Sequence, residues 1–192
     1  MFKDIFKKKK TADVYPLIVP SEYFKTGAFP APHHPLPDER LSLTWVLLAD
    51  RSMSYVNPGM SEALRRSGFD LQIDSLRQLK ERSTDLIATH EKRRDDGSLL
   101  WVAMMHDDGL GSSRLLLASQ LNQLFPEGYG IALPERSCGM AFSSKLSVAE
   151  KDDVRGIVKK CFESSRMSPI LPDLLEPDAI AIPSEWTRPH CT

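Results

Sequence analysis

The stretch MHDDGLGSSRLL, residues 105–116, gathers several side chains that could do chemistry. Asp107 and Asp108 stand side by side and supply two carboxylates, which can act as general acids or bases. Two glycines, two serines and Arg114 follow, so hydroxyl and guanidinium groups come within a few residues of the carboxylates. These residue types are typical of a catalytic or phosphate-binding loop, and equally of a turn before a helix.

Ser112, Ser113 and Arg114 are the candidate ligand-binding residues, because hydroxyls, free N–H groups at a helix start and a guanidinium all suit an anion. The stretch contains neither G-x-x-x-x-G-K-[ST] nor G-x-G-x-x-G, and the two preceding aspartates would repel an anion. Turn geometry supplied by Gly109 and Gly111, followed by a serine helix cap, explains the same residues. We favour this structural interpretation over the phosphate site.

A second candidate lies in the turn 134–138. Cys138 follows Arg136 closely, and a nearby arginine lowers the pKa of a thiol and makes it a nucleophile. Such a cysteine also needs a base, and His106 is the candidate if the two strands are neighbours. A cysteine at the start of a short apolar strand is more often a small buried hydrophobe, which we favour. The candidate catalytic residues are Asp107, Asp108, Arg136 and Cys138.

A metal site would need ligands besides His106, Asp107 and Asp108. His33 and His34 are adjacent, and adjacent side chains on an extended chain point in opposite directions, so both cannot easily reach one ion. Neither H-E-x-x-H nor H-x-x-x-H is present. We therefore predict no metal site and no cofactor.

Composition excludes several classes of function. The chain has 192 residues, of which 41% are hydrophobic and 27% charged, as in a globular protein. Its formal net charge of −1 offers no field that attracts nucleic acid or an anionic membrane. No apolar run approaches the roughly 18 residues that span a bilayer. The three cysteines form no C-x-x-C pair, so we expect free thiols and a cytoplasmic protein.

Hydrophobic periodicity and turn residues predict strand pairs that alternate with helices. Asn57-Pro58 begins a helix that Gly68 ends, and Ser147 with Glu150 forms a capping box. We expect strands at 13–20, 41–50, 53–57, 85–94, 98–106, 129–134 and 138–143, an edge strand at 179–183, and helices at 57–68, 71–83, 113–125 and 147–165. This order predicts an α+β fold: a single domain in which about four helices pack against a mostly antiparallel sheet.

Two tails flank the predicted domain, which covers residues 13–165. Residues 1–12 form a basic, flexible N-terminal arm that lacks the apolar region of a secretory signal. This arm could touch an anionic surface, but a solvated tail is the favoured interpretation. Residues 166–192 form a proline-rich C-terminal extension that packs on the domain or trails from it.

Four segments together resemble a bacterial family of unknown function, the YtpQ-like proteins, over roughly residues 13–145. DVYPLIVPSEYF is similar to that family's Y-P-x-I strand, and LTWVLLADRSMSYVNPGM to its paired strands. DDGLGSSRLL resembles its segment D-G-x-D-A-S-R-I-L, and GYGIALPERSCGMAF its strand that ends in proline. The order and spacing of all four agree with the family.

The chain departs from that family at two positions. Gly111 stands where the family's loop has its second aspartate, and Ser137 where its proline turn has an aspartate. Asp108, Ser113 and Arg114 match the family, as does Pro134. Any site built from those carboxylates would lack two members here. The resemblance supports the domain boundaries and implies no chemistry.

Well-patterned elements without a complete catalytic constellation predict a non-catalytic binding or protein-interaction domain, with a protein as a possible partner. The alternative is a hydrolase or transferase whose site is formed by the loop 106–113 and the turn 134–138. That alternative requires the loop and the turn to be neighbours at one end of the sheet, and its thiol version requires an accessible Cys138 with a basic neighbour.

Overall fold

The computed structural model describes residues 13–25, 27, 29–49, 52–84, 90–165 and 168–187. These residues form nine strands in two antiparallel sheets and five α-helices. The strands are β1 Val14–Pro20, β2 His33–Pro35, β3 Leu41–Ala49, β4 Ser52–Tyr55, β5 His90–Arg93, β6 Leu99–Met105, β7 Tyr129–Glu135, β8 Cys138–Ser143 and β9 Leu174–Leu175. The helices are α1 Glu22–Lys25, α2 Pro58–Arg66, α3 Leu71–Arg82, α4 Ala118–Leu124 and α5 Val148–Ser164.

The first sheet has β3 at its centre, with β1, β2 and β4 paired to it. Strand β1 runs antiparallel to β3, from the pair Val14–Leu47 to the pair Pro20–Leu41. Proline cannot donate to a strand ladder, and β1 accommodates its prolines because it lies at the edge of this sheet. The predicted hairpin between β3 and β4 forms, although its turn residues 50–51 lie outside the described residues.

The second sheet has the order β5-β6-β8-β7-β9. Strand β6 lies inside the sheet, as its nearly continuous apolar sequence predicts. The hairpin from β5 to β6 turns at Gly97, whose φ of +81° is the left-handed conformation that favours glycine. The charged β5 is an edge strand, where charge opposes pairing with another sheet.

The helix ends follow the predicted capping signals. The Asn57 side chain accepts a hydrogen bond from the Met60 N–H at 2.9 Å and begins α2. The Ser147 hydroxyl accepts from the Glu150 N–H while the Glu150 carboxylate accepts from the Ser147 N–H, which completes the capping box of α5. Among the described helices, none combines the length and apolar character that crossing a bilayer requires.

The predicted helix 113–125 is wrong in its first half. Ser112–Leu116 is a 3₁₀ helix, and α4 begins only at Ala118. Leu117 separates the two with a non-helical ψ of 54°. Neither Ser112 nor Ser113 caps a helix, because both hydroxyls bond to strands, as described below.

The described part of the C-terminal extension, residues 168–187, packs on both sheets. Ile170 and Ile180 are buried in the main core, which also contains residues of both sheets, and the Ala179 carbonyl accepts from the Asp38 N–H at 3.0 Å. The predicted edge strand 179–183 is wrong, because the chain turns there in a 3₁₀ helix, Pro177–Ile180. Instead β9 pairs with β7.

The predicted α+β class is confirmed, and the strands are antiparallel as expected. The described residues form two sheets where we expected one. A period-two pattern identifies a strand and its buried face but does not say which sheet the strand joins.

Candidate functional site

The 3₁₀ helix 112–116 connects the two sheets. The Ser113 hydroxyl accepts a hydrogen bond from the Ile18 N–H of β1 at 3.3 Å. The Ser112 hydroxyl lies 2.6 Å from the Glu135 carbonyl and 3.0 Å from the Cys138 carbonyl, at the hairpin of β7 and β8. Both serines are at most 1% exposed. Their hydroxyls therefore satisfy buried backbone groups, and no ligand reaches them.

The loop 106–113 and the turn 134–138 are direct neighbours, as the hydrolase or transferase alternative requires. The Ser112 N–H donates to the Arg136 carbonyl at 3.1 Å. A Cβ atom on Gly111 would lie far inside van der Waals contact with the Ser137 carbonyl. Glycine at 111 thus permits a close approach of backbone to backbone. The two positions that depart from the YtpQ-like pattern touch each other.

Arg114 is the largest fully buried side chain and forms an ion pair with Asp108. Its Nη1 and Nη2 donate to Oδ1 and Oδ2 of Asp108 at 3.0 and 2.7 Å, and its Nε donates to the Ser83 hydroxyl at 3.1 Å. This two-pronged geometry is the strong form of an arginine–carboxylate pair. Arg114 is 0% exposed, so the ligand-binding role predicted for it disagrees with the structure.

Asp108 also binds Arg82, whose Nε donates to Oδ2 at 2.8 Å. Burial alone would raise the pKa of Asp108, but the hydrogen bonds from Arg114 and Arg82 outweigh it and hold the pKa well below its ordinary value. The Arg82 guanidinium also lies over the Tyr15 ring, 5.4 Å from its centre. Asp108 is therefore a fixed anion inside an ion-pair cluster and a poor general base.

A cleft of about 630 Å³ opens where the loop, the turn and the β3–β4 hairpin meet. Asp107, Asp108 and Arg136, three of the predicted catalytic candidates, line it together. Its remaining lining residues are Asp13, Leu48, Ala49, Ser52, Met53, Arg82 and Gly109. Asp107 is exposed and contributes a carboxylate that the ion-pair cluster does not neutralise.

Arg136 has a guanidinium with unused hydrogen-bonding capacity. Its Nε is buried and has no hydrogen-bond partner, and within the described chain no carboxylate forms an ion pair with it. The guanidinium packs against Gly109, whose φ of +69° is the left-handed conformation that favours glycine. Burial raises the pKa of the nearby Tyr55, and the Arg136 charge partly offsets that effect.

Cys138 does not face this cleft as a nucleophile. The side chain is 1% exposed and belongs to a separate apolar cluster with Val154 and Val158 of α5. Burial, followed by the neighbouring Cys161 and Glu135, raises the pKa of its thiol to about 12. A reactive cysteine needs the opposite shift. The thiol-nucleophile hypothesis for Cys138 is therefore wrong.

Metal-binding groups are not brought together in the described residues. No set of three or more histidine, cysteine, aspartate or glutamate side chains there has the arrangement that could hold an ion. Asp107 and Asp108 both line the cleft, but the Asp108 oxygens already accept hydrogen bonds from two arginines and the Leu110 N–H.

Several residues of the cleft were not predicted from the sequence. Asp13 directly precedes β1, Met53 lies in β4, and Arg82 lies in the last turn of α3. No local motif marks them, since each reaches the cleft only through the packing of distant elements. Arg136 was predicted near one pocket with Asp107 and Asp108, where it does lie, and as a helper of Cys138, which is buried away from the cleft.

No family model, curated protein or solved structure matches the chain. The resemblance to the YtpQ-like family therefore stays a prediction.

Proposed function

We propose that the chain is a non-catalytic binding protein of the bacterial cytoplasm whose cleft binds an anionic group through Arg136. The observation that carries this proposal is the orphaned Nε of a cationic side chain at a cleft, without an ion-pair partner in the described residues. A buried donor that lacks an acceptor costs free energy, and more so when it is charged. A ligand that supplies an acceptor and a negative charge would relieve that cost.

The hydrolase or transferase alternative has less support. It needs a nucleophile with an adjacent base. Among the described lining residues, neither histidine nor cysteine is present, and Ser52 is the sole hydroxyl. Asp108 is tied into ion pairs with Arg114 and Arg82. The lining therefore suits recognition better than chemistry.

A thermal-shift titration tests the proposal with two anionic probes, N-acetyl-L-leucine and inorganic phosphate. A ligand at about 100 times its Kd stabilises the folded state by about 2.7 kcal/mol. For a chain of this size that is about 5–11 °C in Tm. Binding by Arg136 predicts such a shift for the natural chain, and its loss in Arg136→Gln, with either probe.

Arg155→Gln is the matched control, because Arg155 is an exposed arginine on α5 that does not line the cleft. It should keep the shift in full. An equal shift in Arg136→Gln and the natural chain would contradict the proposal. Circular dichroism of both variants checks that they remain folded.

A further inference from the structure

We infer that the ligand of this cleft is a zwitterion, an α-amino acid with an apolar side chain. The inference rests on the proposed function, since Arg136 would bind the carboxylate of that ligand. In addition, the ammonium group of the ligand would be bound by Asp107 and Asp13. Its apolar side chain would pack against the apolar residues of the β3–β4 hairpin, Leu48, Ala49 and Met53.

The carboxylates that line the cleft differ in whether they form ion pairs. Asp108 is neutralised by Arg82 and Arg114. Asp13 and Asp107 are both exposed, and within the described chain neither forms an ion pair. Among the described residues, the cleft therefore presents two carboxylates without an ion-pair partner, together with the Arg136 guanidinium, whose Nε has no hydrogen-bond partner.

The described part of the cleft carries charges of both signs. Among the described residues, three carboxylates line the cleft, and the guanidiniums of Arg82 and Arg136 line it with them, while the buried Arg114 pairs with Asp108 from behind. A dianion such as phosphate would gain from Arg136 but would be repelled by Asp107 and Asp13. A zwitterion, with one positive and one negative group, is complementary to both the guanidinium and the carboxylates of the cleft. A ligand with only one kind of charge would be repelled by the groups of like charge.

The cleft has the volume and the apolar surface of a small-molecule site. A volume of about 630 Å³ lies within the range of small-molecule sites, and it exceeds what a single inorganic ion fills. Leu48, Ala49 and Met53 supply apolar surface on one side of the cleft. Met53 is half-buried, and its flexible thioether lies close to Gly109, where it can adapt to a ligand side chain.

The experiment uses three probes that share one side chain: L-leucine, N-acetyl-L-leucine, which lacks the ammonium, and L-leucine methyl ester, which lacks the carboxylate. Isothermal titration of the full chain should give L-leucine a Kd at least tenfold lower than either blocked probe. The double variant Asp13→Asn with Asp107→Asn should weaken L-leucine severalfold and leave N-acetyl-L-leucine unchanged or tighter. Asp95→Asn, on the exposed turn between β5 and β6, should change nothing.

Two results would overturn the inference, and they are distinguishable. If N-acetyl-L-leucine binds as tightly as L-leucine and Arg136→Gln abolishes both, the ligand is a simple anion and the proposed function stands. If neither these three probes nor inorganic phosphate binds in a way that depends on Arg136, the proposed function fails and the zwitterion fails with it.

Discussion

The buried pair of Arg114 and Asp108 makes a sharp prediction about stability. Asp108→Asn keeps the size of the side chain and removes its charge. Arg82 is 41% exposed on its side chain and can turn to water, but Arg114 is 0% exposed and would remain a buried cation without a counterion. Breaking a buried pair from one side costs about 3–5 kcal/mol. We expect a loss of that size in the free energy of unfolding.

Asp107→Asn is the matched control, because it removes the same charge from the adjacent, exposed residue. Exposed substitutions of this kind change stability by about 0.5 kcal/mol or less. For a chain of this size, about 3–5 kcal/mol corresponds to roughly 6–20 °C in Tm. Guanidinium chloride denaturation followed by circular dichroism, with calorimetry for Tm, measures both variants.

The pH dependence has a defined sign. The pKa of Asp108 lies below its ordinary value in the folded protein, so its ion pairs contribute stability above the unfolded pKa of about 3.9. That contribution is lost as the pH falls from about 5 toward the folded pKa, because the unfolded state binds the proton first. The stability difference between the natural chain and Asp108→Asn should therefore shrink as the solution becomes acidic.

The double variant Asp108→Asn with Arg114→Met separates a buried-charge effect from general disruption of the loop. Removing the cation removes the penalty, so the double variant should be more stable than Asp108→Asn alone. A loss below about 1 kcal/mol for Asp108→Asn, no larger than for Asp107→Asn, would refute the reasoning.

Three further predictions concern packing, capping and the thiols. Gly111→Ala should lower the free energy of unfolding by about 1–3 kcal/mol or more, because its methyl group collides with the Ser137 carbonyl. Gly156→Ala, in open space on α5, should raise it by about 0.5–1 kcal/mol. Equal effects of the two variants in urea denaturation would contradict this. Ser147→Ala should cost about 1 kcal/mol in the same assay, and no loss would argue against the capping box. Iodoacetamide should label Cys161 before Cys138 in the native protein, and mass spectrometry showing the reverse order would contradict the burial of Cys138.

Local sequence signals predicted the features that depend on neighbouring residues. The cap at Asn57, the glycine turn at Gly97 and the capping box at Ser147 each involve groups within three residues of one another. All the groups that form each of these features lie within a short stretch of sequence, so the sequence alone is sufficient to predict them. The α+β class could be predicted because such caps and turns mark where each helix and strand begins or ends.

The errors arose where a side chain bonds to a distant strand. Ser113 was expected to cap a helix, but its hydroxyl accepts from Ile18, 95 residues away in the chain. Arg114 was expected at a ligand, but it pairs with Asp108 in the core. A serine or an arginine at a turn has the same local pattern in either role, and burial is a tertiary property. The partner groups of the cleft, Asp13 and Arg82, were missed for the same reason.

Gly111 and Ser137 together determine how closely the loop and the turn approach each other. Glycine at 111 lets the turn approach until the Ser137 carbonyl occupies the volume of a Cβ, so an aspartate at 111 alone would force the turn away. Arg136 precedes Ser137 in that turn, and its carbonyl is held by the Ser112 N–H. The position of the Arg136 guanidinium at the cleft thus depends on the close approach at Gly111. This compact backbone thereby presents Arg136 at the cleft with an Nε that has no hydrogen-bond partner.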